Sequence, residues 1–172
     1  MKKAVLVIVA MSLVSIARPS LTQLTNHEMK ADEFIEYITV ASPYTGWQKW
    51  PDKGKLHKGR SSYGHGDFIA TFVNHAALES IAEKKGMADG SIIVVENYGV
   101  DKTLAGLTTM YKVGGYNPQA GDWYWMEATP AGKVLRFGKA QPCIDCHSSQ
   151  AGNDYIWTAE VVRGKYKEAA SP

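Results

Sequence analysis

The sequence predicts a mainly β, α+β domain: a curved antiparallel sheet of about five strands with two or three helices. Three observations carry that expectation. Four segments between residues 91 and 138 are dense in β-branched and aromatic side chains. The links between them are short, so neighbouring strands run antiparallel, since a parallel pair would need a long crossover. Two earlier segments instead carry apolar residues at helical spacing.

Taken in order, the chain opens with Lys2 and Lys3, an apolar run from Ala4 to Ile16, and small residues at Ser15 to Ala17. This pattern fits a signal peptide over 1–17 and hence a periplasmic or otherwise exported protein, soluble after cleavage. The run is too short to cross a bilayer comfortably, and a retained uncleaved anchor is the alternative. Cleavage after Ala17 removes two of the 19 basic side chains, leaving 17 to face 17 acidic ones. A chain so close to neutral is a poor nucleic-acid binder.

An N-terminal segment, 18–42, includes a helix over 29–42, with Phe34, Ile35 and Ile38 on one side and Asp32 and Glu33 in the first turn. The main domain then spans 43–172. Residues 43–66 are rich in glycine, proline and basic side chains and read mostly as loop. A strand over 67–73 leads into a helix over 74–86, with Asn74 as N-cap and Lys84, Lys85 and Gly86 at its end. Strands follow at 91–98, 104–113, 122–128 and 133–138. The link GGYNPQAG lacks the Lys-Ser/Thr pair of a phosphate loop and reads as a hairpin turn.

The last strand is followed by Cys143-Ile-Asp-Cys146-His147, which contains both cysteines of the chain. In an exported protein two such thiols could form a disulfide, but that leaves His147 without a role. A zinc site would need adjacent Cys146 and His147 to converge on one tetrahedral centre, with two more ligands from elsewhere. A thioredoxin-like dithiol belongs in a βαβ unit, whereas these strands are antiparallel. C-x-x-C-H is the attachment signature of c-type haem. Thiols three residues apart on a helical turn can bond the two vinyl groups along one side of a porphyrin, and the next imidazole lies beneath the iron as axial ligand. One covalent haem c per chain, on Cys143 and Cys146 with His147 on the iron, is the expectation.

With the motif placed after a run of strands, the chain resembles the cytochrome P-460 family and its relative cytochrome c-prime-beta. The resemblance rests on FVNHAALESI, DGSIIVVENY, LTTMYKVGGYNPQAGDWYW and CIDCHSSQAGNDYIWT, between Trp47 and Thr158. It implies an antiparallel sheet packed against one c-type haem, commonly in a homodimer, with the distal side built by sheet residues. Members with the P-460 chromophore oxidise hydroxylamine, using a lysine joined to the porphyrin and a distal carboxylate. The c-prime-beta relatives have apolar distal pockets and bind nitric oxide. Here the lysine position carries Val95 and the carboxylate position Thr108, so neither group of the oxidising members is evident. Lys112 shares a strand face with Thr108 but lies about 13 Å along it.

Over the iron, His65 is the first candidate, as sixth ligand or distal hydrogen-bond donor, its flanking Gly64 and Gly66 letting backbone approach a planar ligand. Met110, on the same face as Thr108, is the second. His27, His57 and His75 read as surface residues. Ile93 and Val95 offer an apolar sheet face to a haem, and Glu96 points the other way. Tyr155 and Trp157 are expected to cover the proximal side or to bond a propionate. The basic run 52–60 reads as a solvated loop, or else as a grip on propionates or a dock for an acidic redox partner. The functional expectation is electron transfer and/or reversible binding of a small ligand such as nitric oxide. The alternative is a haem enzyme acting on hydroxylamine or another small nitrogen species.

Overall fold

A computed structural model of the chain describes residues 29–60 and 64–167. The proposed signal segment and His27 lie outside the described residues. The fold is mainly β: one open antiparallel sheet with helices on both faces.

The first helix, α1 (Ala31–Glu36), is shorter than the periodicity over 29–42 suggests, because its continuation, Tyr37–Ala41, winds as a π-helical turn. Two short strands then occur in the segment expected to be loop, β1 (Gln48–Lys49) and β2 (His57–Lys58). Both pair with β3 (Phe68–Val73), and so the sheet has seven strands where about five were expected. A two-residue strand leaves no periodicity to read; its pairing partner alone defines it. Helix α2 (His75–Glu83) starts as anticipated: the Asn74 side chain accepts from Ala77 N at 3.0 Å. It stops at Lys84, whose φ of 56° is left-handed, two residues before Gly86.

Strands β4 (Ile92–Tyr98), β5 (Leu104–Lys112), β6 (Trp123–Ala128) and β7 (Val134–Gly138) follow within a residue of the expected bounds. They pair in sequence order, all antiparallel, as short connections require. Helix α3 (Gln141–His147) comes next, with Pro142 in its first turn, where a missing N–H is harmless.

Period-2 alternation divides the buried residues into two layers. On one face Ile92, Val94, Tyr111 and Met126 pack against Phe34 and Ile38 of the N-terminal helix, with the Phe34 and Tyr111 rings stacked at 5.4 Å. Burying a Phe side chain this completely stabilises by roughly 1.5–3 kcal/mol. Glu96 also lies on this side, accepting from the hydroxyls of Tyr44 (3.0 Å) and Tyr98 (2.7 Å). It is a structural residue, as the strand count implies. The opposite face, with Val73, Ile93, Trp123 and Trp125, meets α2 and the segment after α3. Part of this second face is left open to a cavity.

Candidate functional site

The cavity has a volume of about 800 Å³ and lies between the sheet and α3. Its sheet wall follows from register. Asn97 pairs with Ile69, Thr71 with Val95, Val95 with Thr108, and Thr108 with Glu127, so all these residues share one face. Ile93, Val95, Thr108, Met110 and Trp125 line the cavity.

Helix α3 supplies the other wall. Residues three and four apart on a helix share a face, and Cys143, Cys146 and His147 all line the cavity. Neither cysteine is in a disulfide. Burial, partly opposed by nearby Arg136, pushes the Cys143 thiol pKa up, so it stays protonated.

His147 is fixed by the turn that follows. Its Nδ1 lies 2.6 Å from the Tyr155 carbonyl oxygen. A carbonyl only accepts, so Nδ1 carries the proton and Nε2 keeps its lone pair. Burial lowers the His147 pKa to about 4, with His65 adding to the shift, so the ring is neutral near pH 7. The carbonyl is aimed by two consecutive left-handed residues, Asp154 (φ 54°) and Tyr155 (φ 64°), an uncommon backbone for non-glycine residues. Asp154 is held there by Lys112 Nζ at 2.6 Å, Met87 N at 2.7 Å and Trp123 Nε1 at 3.3 Å. Lys112 thus belongs to this structural cluster and donates also to Gly121 O.

His65 faces His147, with ring centroids 6.2 Å apart. Its flanking glycines serve a purpose other than the one expected. A Cβ on Gly66 would lie 2.4 Å from the Tyr98 backbone, so Gly66 lets the loop dock on β4; Gly64, at φ +83°, makes the turn. His57 is a correction. It was expected at the surface, but pairing with Ile69 turns it toward the cavity, where its Nδ1 is buried without a hydrogen-bond partner. His75 is exposed, as expected, and pairs with Glu79 at 3.3 Å. The basic run is likewise more than a solvated loop: Lys53, Lys58 and Arg60 border the cavity, and Arg60 lies 4.9 Å over the Trp157 ring. Tyr155 meets the proximal side through its carbonyl, and its hydroxyl bonds Gln119 O.

Three residues escaped the sequence reading. Asn97 joins His65 to Thr108; its only signal was a polar side chain in register with Ile93 and Val95. Asp154 left no signal at all. Glu127 sits beside Thr108 and is hydrogen-bonded by Arg136, so the cavity wall includes a carboxylate one strand away from the expected position. Strand pairing, invisible in one segment, brings it there.

The donor set suits a haem. Two neutral imidazoles face each other, two thiols stand on one wall, and the floor is apolar. The buried Nε1 of Trp157, without a hydrogen-bond partner among the described residues, lies near cationic side chains where anionic propionates would fit. Among the described residues no group of three or more His, Cys, Asp or Glu forms a metal site.

An antiparallel sheet over such a pocket, followed by C-x-x-C-H, defines a haem-binding cytochrome. The Cytochrome P460 family model matches residues 44–158, and the chain belongs to that family. No curated protein matches the chain.

Proposed function

We propose that the protein is an exported monohaem c-type cytochrome, with one haem held by thioethers from Cys143 and Cys146 and His147 as axial ligand. Its work is electron transfer and/or reversible binding of a small ligand such as nitric oxide. The observation that carries this reading is the convergence of both thiols and the His147 Nε2 lone pair on one cavity, with Nδ1–H already committed to the Tyr155 carbonyl. Such a second hydrogen bond fixes the tautomer and orientation of a metal-binding imidazole.

When bound, the haem supplies a one-electron iron centre. The chain supplies the rest. Ile93, Val95 and Met110 exclude water from the sheet side, and Arg60 and Lys58 offer positive charge at the rim. Export rests on Lys2, Lys3 and the apolar run after them, and a homodimer on the family resemblance. Expression with working cytochrome maturation should give a coloured protein whose mass exceeds the polypeptide by one haem, and Cys143→Ala with Cys146→Ala should abolish the adduct. A colourless product of polypeptide mass alone refutes the proposal.

A second reading, an enzyme acting on a small nitrogen species such as hydroxylamine, is favoured by Glu127 in the cavity wall. It would need an open iron position beside that carboxylate. Its ion pair with Arg136 opposes a role in proton transfer.

A further inference from the structure

We propose that His65 is the second axial ligand of the haem iron and that Asn97 is the residue that positions it, so that the resting site is six-coordinate and built for electron transfer. This rests on the c-type haem reading and decides between the two activities left open there.

The first argument is distance. A bond of about 2.0 Å from metal to imidazole nitrogen, with about 1.2 Å more to the ring centre, sets two trans imidazole centroids about 6.4 Å apart. The His65 and His147 centroids are 6.2 Å apart. With the ring planes at 63°, this separation matches one iron held between the two imidazoles.

The second argument is the tautomer. Asn97 Oδ1 lies 3.2 Å from the Gly66 backbone N–H, which can only donate. Asn97 Nδ2 lies 3.3 Å from the Val95 carbonyl, which can only accept. These two backbone groups fix which end of the amide is oxygen. The same Oδ1 is 3.1 Å from His65 Nδ1, so that nitrogen must be the one bearing hydrogen. Asn97 Nδ2 also donates to Thr108 Oγ1 at 3.1 Å, which stands 3.3 Å from His65 Nδ1 and steadies the same ring edge. The Nε2 lone pair of His65 is therefore free, as is that of His147. Both imidazoles give Nδ1–H to an oxygen that the backbone holds in place, the arrangement that orients metal-bound histidines.

The rivals lack this preparation. Met110 packs in the apolar layer with Trp125 and Ile93, and no hydrogen bond directs its thioether. His57 Nδ1 has no partner, so neither its tautomer nor its ring orientation is set. The sequence at 95–97 thus divides its work: Val95 lines the pocket, Glu96 braces the opposite layer, and Asn97 aims the ligand.

The test uses haem-loaded holoprotein, with haem content first measured by the pyridine haemochromogen spectrum. Ferric wild type should give a low-spin electron paramagnetic resonance and optical spectrum. His65→Ala, or His65→Gln if alanine impairs folding, should be high-spin, and added imidazole should restore the low-spin signal. Met110→Ala should stay low-spin. In Asn97→Ala, the concentration of cyanide that half-saturates the ferric iron should fall about 10-fold or more, the usual scale for losing an outer hydrogen bond to a metal-bound histidine. Asn97→Asp, which keeps an acceptor for Nδ1–H, should recover most of that loss. Haem-loaded wild type that is high-spin, or a His65 variant with an unchanged spectrum, overturns this proposal alone. Protein without haem from a competent host overturns the haem assignment and this one with it.

Discussion

Replacing Asp154 by alanine probes how the proximal side is held together. Lys112 and Asp154 pair at 2.6 Å with side chains only 14% and 13% exposed. Removing one partner of a buried pair leaves the other charge uncompensated and costs about 3–5 kcal/mol. Met87 N–H loses its acceptor as well, so the upper half of that range is expected, a large fraction of a typical 5–15 kcal/mol stability. Denaturant unfolding of the holoprotein, followed by circular dichroism, measures the loss. The double variant Asp154→Ala with Lys112→Met should be less destabilised than the sum of its single variants by about 1–3 kcal/mol, because no orphaned ammonium remains. A loss below about 1 kcal/mol, or strict additivity in the double variant, would refute the assignment of a buried, mutually dependent pair. The consequence reaches the site, because Asp154 fixes the turn whose next carbonyl holds His147. The proposed axial ligand, His147, should therefore loosen before the rest of the fold melts, seen as haem-band changes at lower denaturant than the loss of ellipticity.

Asn74→Ala should cost about 2–3 kcal/mol by denaturant unfolding. It removes the N-cap of α2 and the acceptor that Ile92 N–H uses at 3.0 Å; a cost near zero would mean that the cap is redundant. Tyr111 is fully buried with its hydroxyl unpartnered, and burial raises its pKa to about 12. The unfolded phenol ionises near 10 while the folded one stays protonated, so the stability it contributes is complete below pH 10 and falls as pH rises toward 12. Two pH units correspond to about 2–3 kcal/mol. Tyr111→Phe should be neutral or stabilising at pH 7 and should flatten that alkaline decline, whereas an unchanged slope between pH 10 and 12 would assign it to other groups.

The C-x-x-C-H turn and the main strands were legible because their information is local. C-x-x-C-H needs only one helical turn to place its three side chains, and each long strand carries enough β-branched and aromatic residues to declare itself. The order of β4 to β7 followed from short links, since such links permit only antiparallel neighbours. His65 was legible as a candidate by type and position, and Val95 and Thr108 through the family resemblance.

What the tertiary structure decided was every relation between distant segments. Two-residue strands β1 and β2 exist only because β3 offers an edge, and that pairing moves His57 and the basic run from an assumed solvent loop to the cavity wall. Glu127 stands beside Thr108 by cross-strand register, not by any pattern of its own. The tautomers of His65 and His147 depend on oxygens 32 and 8 residues away, Asn97 Oδ1 and the Tyr155 carbonyl. A side chain's chemistry is written in the sequence, but its protonation, direction and partner are set by neighbours that only folding brings within hydrogen-bond range.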